Sequence, residues 1–308
     1  MKSHFKFRVP GGLGNQLFSY FCAIYVANIL KSKSLLDLRS VDTSHFRDGI
    51  ALLSLEFPQD YVSVSNEWRS DFFLSPLYER LHRKVTSIVN PGRVKTFEPG
   101  HDSKGDLDEY LASFDNDFRK SRTINGYFAD FAFYDSLSND TRLLRLRQPT
   151  SQFKLLSKSF DNHRTIAIHH RLGDFLGLGQ SVGILSRRYY LDALDKADVN
   201  DFENVVVFSN DQEKSRILLN AWGLNSKRFT WLGPENLVNP AETMLLMAKA
   251  GSIICSNSTF SFWAAKLSSE NTSKIYYPSQ FRKDNFGEIY TLPESWIPVH
   301  SSWSNQHE

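Results

Sequence analysis

An apolar run, Ile166-Ala167-Ile168, breaks abruptly into His169, His170, Arg171, Gly173 and Asp174. The first part has the composition of a buried strand, and the second has groups that can do chemistry. Arginine suits a phosphate, because its planar fork donates two parallel hydrogen bonds to neighbouring oxygens. Asp174 is able to orient Arg171 or His169, or to accept from a base or hydroxyl. In open α/β sheets ligands sit at the carboxyl ends of strands, so a strand ending this way marks a candidate site. The same residues also suit an ordinary strand end closed by a salt bridge.

Other stretches end in the same manner. The apolar segment Asn204–Phe208 stops at Ser209-Asn210-Asp211, and Gly251–Cys255 stops at Ser256-Asn257-Ser258-Thr259-Phe260-Ser261. Hydroxyls and backbone N–H groups at a helix start form a natural diphosphate cradle. Each stretch alone also reads as a helix cap, the commoner role of Ser and Thr at such a place. Together, at the carboxyl edge of one parallel sheet, they would face one crevice and point to a nucleotide site.

The first half repeats the theme. Pro10-Gly11-Gly12-Leu13-Gly14-Asn15-Gln16 separates an expected strand, Phe5–Val9, from an expected helix, Leu17–Leu30. Glycines let a backbone approach a ligand closely. The dinucleotide fingerprint Gly-x-Gly-x-x-Gly lacks its third glycine here. Asn15 offers a neutral donor and acceptor, and a plain tight turn remains the alternative. Thr123–Asp130 is expected to be a strand with a polar tip, where Asp130 also suits the N-cap of a following helix.

These groups need a scaffold. Leu17, Phe21, Ile24, Ala27 and Ile29 lie on or near one stripe at helical spacing. Ser34–Leu38 is expected to be a second strand. In the second half, strands over Ile166–His169, Asn204–Phe208, Phe229–Leu232, Gly251–Cys255 and, last, Lys274–Pro278 alternate with helices over Leu185–Lys196, Glu213–Ala221, Ala241–Ala250 and Phe262–Leu267, with Ser186 as an N-cap. That rhythm predicts an α/β protein with parallel sheets and right-handed crossovers. A length of 308 residues suits about two domains. The composition break at Arg147–Phe153 divides the chain into 1–150 and 151–308. Residues 40–120 give only fragments, including a helical one at Ser75–Val89.

Composition excludes some classes. Lys plus Arg is 36 against 34 for Asp plus Glu, which gives no basic face for non-specific nucleic-acid binding. Phe is abundant at 24 residues, and such density suits either a packed core or sugar-stacking walls. Cys22 and Cys255 are expected to be buried free thiols in a reducing compartment, and no zinc spacing is present. No leader-like segment or run of about 18 apolar residues is expected, which points to a cytoplasmic protein without its own anchor.

Taken together, Gly11-Gly12-Leu13-Gly14-Asn15-Gln16-Leu17-Phe18, His169-x-Arg171-x-Gly173-Asp174, Phe208-Ser209-Asn210-Asp211 and Ser256-Asn257-Ser258-Thr259-Phe260-Ser261-Phe262-Trp263 resemble the α-1,2-fucosyltransferases of glycosyltransferase family 11. Gly126-Tyr127-Phe128, Ser186-x-x-Tyr189-Tyr190 and Tyr277-Pro278 agree, so the resemblance runs from about residue 8 to the C-terminus.

The resemblance implies a GT-B arrangement of two Rossmann-like domains facing a cleft. The C-terminal one would hold GDP-fucose and the N-terminal one would help present a glycan acceptor. It implies an inverting transfer to the 2-hydroxyl of a galactose-type residue, with no metal or other cofactor. The absence of an Asp-x-Asp motif at a strand end agrees with that. Arg171, Asn15 and Asp130 would be catalytic, Arg171 by stabilising departing GDP. Gly12, Gly14, His169, Asp174, Ser209, Asp211, Asn257, Ser258, Thr259 and Phe260 would line the donor site. The family motif commonly has a second arginine where this chain has Leu172, which leaves open another GDP-sugar as donor. A non-catalytic nucleotide- or glycan-binding relative is the reading from another class. Peripheral contact with the inner membrane face, through Trp68–Lys84, is a further expectation.

Overall fold

The computed structural model describes residues 5–38, 51–56, 61–65, 94–98, 101–113, 122–160, 164–172, 181–224, 229–234, 236–237, 239–269, 273–284 and 289–304. The expectations for Ser75–Val89, Trp68–Lys84, Gly173 and Asp174 lie outside them. The chain divides into two compact units, Met1–His45 with Glu56–Leu144, and Phe46–Leu55 with Arg145–Glu308.

In the first unit, strands β1 (Phe5–Arg8), β2 (Ser34–Asp37), β3 (Val62–Ser65), β4 (Val94–Thr96) and β5 (Arg122–Asn125) form one sheet in the order β3-β2-β1-β5-β4. Every pairing is parallel. Phe5 and Phe7 of β1 are buried and alternate with partly exposed Lys6 and Arg8, the period-2 pattern of a strand. Helix α1 (Leu13–Leu30) starts four residues before the expected Leu17. Gly12 stands at its N-cap, so Gly14, Asn15 and Gln16 belong to the first turn rather than to a loop.

Helix α1 is buried on nearly every face from Leu13 to Ala27, as a central helix must be, instead of along one stripe. Ile29, expected on that stripe, is exposed. By length and composition this helix is able to cross a membrane, which corrects the expectation that no such run exists. Here it is a core helix, closed by aromatic rings. Phe18 packs on Phe131 at 5.1 Å and Phe21 on Tyr134 at 4.9 Å between centroids. Phe7 and Phe97 both meet Phe128 edge-on. The abundant phenylalanine is core material at these positions.

Among its described residues this unit also has helices α2 (Lys104–Ala112), α3 (Ala132–Asp135) and α4 (Asn139–Arg142). The strand expected over Thr123–Asp130 stops at Asn125. Beyond it Phe128 takes a left-handed backbone with φ 53°, and the Tyr127 and Phe128 N–H groups donate to the Asp102 carboxylate at 3.0 and 2.8 Å. A side chain replaces the ladder there.

In the second unit, β6 (Thr165–His170), β7 (Asn204–Ser209), β8 (Phe229–Leu232), β9 (Ser252–Ile254), β10 (Lys274–Pro278) and β11 (Ile297–Val299) form a sheet in the order β11-β10-β9-β6-β7-β8. All of its pairings are parallel. Every residue of β6 is buried, as expected of a central strand covered on both faces. Lys274–Pro278 is not the last strand. Ile297–Val299 adds one at the edge, the place in a sheet where Pro298 is tolerated.

Helices α5 (Ser151–Ser159), α6 (Arg187–Ala197), α7 (Gln212–Ala221), α8 (Pro240–Met247) and α9 (Thr259–Ser269) supply the other layers. Ser186 occupies the N-cap position of α6 without capping it, since its Oγ pairs with Ser302 Oγ at 2.6 Å. The stretch taken as a link is anchored. Arg147 donates from N and Nε to the carbonyls of Ser54 and Leu55, at 2.8 and 2.6 Å, and Thr150 donates from N and Oγ1 to the buried Glu242 carboxylate, at 2.6 and 2.8 Å. The Arg147 bonds tie Ser54 and Leu55 to the second unit, with which Phe46–Leu55 belongs.

Candidate active site

The second sheet runs from β6 outward to β7 and β8, then returns to the other side of β6 for β9, β10 and β11. Its order therefore reverses between β6 and β9. In open parallel sheets the crevice at such a switch point is where ligands bind. The chain leaves β6 through His169-His170-Arg171 and leaves β9 through Ser256–Ser261, so two of the polar strand ends meet at this position.

His169 is 3% exposed, and its ring packs on Phe260 with centroids 5.4 Å apart. Tyr190 OH donates to its carbonyl at 3.2 Å. Burial, and secondarily Arg171, holds the imidazole well below its usual range, so it is neutral. Its Nδ1 is buried and has no hydrogen-bond partner among the described residues.

His170 serves the core instead. Its Nδ1 lies 2.9 Å from Ser215 Oγ, which lies 2.5 Å from Ser209 Oγ. Ser209 Oγ donates to the Asp211 carbonyl at 3.0 Å and accepts from the Asp211 N–H at 3.1 Å. A hydroxyl has one proton to give, so Ser215 donates to Ser209 and His170 Nδ1–H donates to Ser215. Tyr190 and Trp222 pack edge-on against the ring, and burial lowers its pKa to about 3.

Arg171 is half-buried at the tip of β6. The next residue, Leu172, is fully buried, and its N–H donates to Asn210 Oδ1 at 3.1 Å. The position where the family motif carries a second arginine is thus part of the apolar core. Sequence reasoning had no specific role for Asn210; its one signal was its place among the polar residues that end β7.

After β9 the chain turns tightly, with the Ser258 N–H donating to the Ser256 carbonyl at 2.8 Å. Ser261 Oγ closes the turn on the carbonyls of Ser256 and Ser258, at 3.1 and 3.0 Å. Helix α9 begins at Thr259, three residues before the expected Phe262, so Thr259, Phe260 and Ser261 are its first turn. First-turn N–H groups have no partner within their helix and favour an anion. Ser258, Thr259 and Phe260 sit at that edge as expected. Asn257 does not offer its amide: Nδ2 donates to the carbonyls of Val182 and Gly183 at 3.3 and 3.1 Å, and Oδ1 accepts from Ser256 Oγ at 3.2 Å. It holds the 182–183 loop. Asp211 is likewise occupied, capping α7 through the Lys214 N–H at 3.1 Å and pairing with Lys214 Nζ at 3.0 Å.

The remaining candidates lie in the first unit. Gly11 has φ 60°, a left-handed conformation that favours glycine, and a Cβ there would lie 2.8 Å from Asn15 Nδ2. Gln16 Nε2 donates to the Gly11 carbonyl at 2.9 Å. These contacts fold the Gly11-Gly12 turn against Asn15, which is half-buried in the first turn of α1, with Gly14 buried beside it. Asp130 is expected as a general base or as a helix N-cap. It is 4% exposed, Oδ1 accepts the Ala132 N–H at 2.9 Å and Oδ2 accepts the Lys104 N–H at 2.8 Å. One carboxylate accepts the first N–H of both α2 and α3, while the N-cap positions themselves are Ser103 and Phe131.

Among the described residues no three His, Cys, Asp or Glu side chains are grouped to hold a metal ion. Cys22 and Cys255 are free and buried.

Comparison with known proteins places this arrangement. Residues 130–297, more than half of the chain, match the model of glycosyl transferase family 11. An α-1,2-colitosyltransferase of Escherichia coli is 24% identical over 304 residues, covering 95% of this chain and 97% of that protein. The O-antigen biosynthesis glycosyltransferase WbnK of Escherichia coli is 25% identical over 311 residues, covering 94% and 98%. Among solved structures, the NodZ α-1,6-fucosyltransferase soaked with GDP-fucose superposes with a TM-score of 0.52 at 17% identity, over 94% of this chain and 99% of that one. A selenomethionine form of the fucosyltransferase NodZ from Bradyrhizobium gives 0.51 at 17% identity, over 87% and 93%. The fold is accordingly of the GT-B type, and the chain belongs to glycosyl transferase family 11.

Proposed function

We propose that this glycosyltransferase moves L-fucose from GDP-fucose to the 2-hydroxyl of a galactose-type residue, with inversion at the anomeric carbon. The observation that carries the reading is the pairing of β6, which leads into Arg171, with β9, which leads into α9, and the packing of His169 on Phe260 in the first turn of α9. A guanidinium and a helix N-terminus suit the two phosphates of a nucleoside diphosphate.

In the proposed reaction the acceptor hydroxyl oxygen forms a bond to the anomeric carbon as the bond from that carbon to the β-phosphate oxygen breaks. GDP leaves with the electron pair. Arg171 meets the negative charge that develops on it, and this kind of stabilisation is often the largest catalytic term. The hydroxyl proton passes to solvent or to the departing phosphate. The proposed chemistry uses no metal. A cell-surface polysaccharide precursor as acceptor is supported by the relative named for O-antigen biosynthesis.

A second donor has its own support. One relative is named an α-1,2-colitosyltransferase, and colitose is fucose without its 3-hydroxyl. Mass spectrometry of products from GDP-fucose and GDP-colitose, with galactose-terminated acceptors in EDTA, separates the readings. Fucosylated product establishes the first. Product from GDP-colitose alone establishes the second. No product from either donor, with a broad acceptor panel, counts against both.

A further inference from the structure

We infer that Asn210 is a positioning residue for Arg171. The parallel ladder between β6 and β7 ends with His170 opposite Ser209. Continued by one step, it would set Arg171 beside Asn210. The Asn210 side chain takes up the pairing instead, its Oδ1 accepting the Leu172 N–H at 3.1 Å. Arg171 is therefore bracketed. On one side His170 is fixed by Ser215 and by the rings of Tyr190 and Trp222. On the other, Leu172 is fully buried and tied by Asn210.

A long arginine side chain has much rotamer freedom to lose, and fixing its backbone on both sides lowers what a ligand must still order. Asn210 thus acts on the phosphate site through residue 172. An acceptor at the δ position is what the contact requires, so aspartate can replace asparagine and alanine cannot. This inference rests on the reading of Arg171 as the phosphate group's partner.

The test measures two things on the full chain carrying Asn210→Ala or Asn210→Asp. The first is hydrogen–deuterium exchange at the Leu172 amide, without ligand. The second is GDP affinity by calorimetry. The expected result is a protected Leu172 amide in the wild type and in Asn210→Asp, exchanging at least tenfold faster in Asn210→Ala. GDP binding, measured well below the melting temperature of each variant, should weaken about tenfold in Asn210→Ala and return to within threefold in Asn210→Asp. If Asn210→Ala melts before titration, Asn210→Gln takes its place, since it displaces the acceptor by one methylene. Unchanged amide exchange in the alanine variant overturns the brace, whatever GDP does. Faster exchange with unchanged GDP affinity overturns the positioning role alone. A wild type that binds no GDP overturns the donor reading, and the positioning role with it.

Discussion

At the scale of single residues, two adjacent histidines illustrate how burial decides protonation. Neither His169 nor His170 takes a proton readily in the folded chain, and for His170 the pKa falls to about 3. In the unfolded chain both would protonate near the ordinary 6.5. Below that value the unfolded state therefore binds protons that the folded state refuses, so stability is lost as pH falls. The slope is about 1.4 kcal/mol per pH unit for each ring. Urea midpoints at successive pH values from 7 to 4 should show it, and His170→Gln should remove about half of this histidine contribution. Asp130 gives a second prediction. Asp130→Ala strips the Lys104 and Ala132 N–H groups of their acceptors. It should cost about 1–3 kcal/mol of stability and leave kcat per folded molecule unchanged. A large fall in kcat with stability intact would restore Asp130 as a base. For Arg171, replacement by alanine should lower turnover by at least about 100-fold, the size of effect seen when one charge-stabilising donor is removed. Lysine should recover little of it, because a point charge does not reproduce the planar fork.

At the scale of elements, the turns that end strands do most of the arranging. Gly183 has φ 79°, and a Cβ there would lie 2.5 Å from Cε3 of Trp303. Its carbonyl is one of the two held by Asn257. Gly183→Ala should therefore destabilise the chain by about 1–3 kcal/mol, as strained backbone and overpacking do, and thermal melting checks it. The element boundaries also show what a sequence hides. Helix α1 begins inside a run of glycines, which by propensity signals a turn, because Gly12 needs no side chain to stand at the N-cap. The first turn of α9 reads as loop in the sequence because Thr259 and Ser261, like Ser258 before them, are turn formers, and tertiary packing overrides that preference. The edge strand β11 escaped because Pro298 argues against a strand in its centre.

At the scale of the whole molecule, the parallel α/β plan was legible because β6 and β7 are continuous apolar runs, each followed by a helical stretch. The place of the site was legible for the same reason: polar residues that end buried strands must collect at one sheet edge. Less was legible where one residue type serves two purposes. Asp130, Asp211 and Asn257 look alike as catalytic, binding or structural residues in a sequence, and the structure adds the backbone groups that each one holds. Nor does local pattern reveal that Phe46–Leu55 joins the second unit, since the antiparallel bridge between Leu55 and Leu146 spans most of the first.

The central claim is that the diphosphate of a GDP-sugar sits at the β6–β9 switch point. A crystal structure of the chain grown with GDP tests it most directly. The account predicts the phosphates within hydrogen-bond reach of the Arg171 guanidinium and of the N–H groups in the Thr259–Ser261 turn. GDP bound elsewhere on the chain, or bound with Arg171 out of reach of both phosphates, would contradict it.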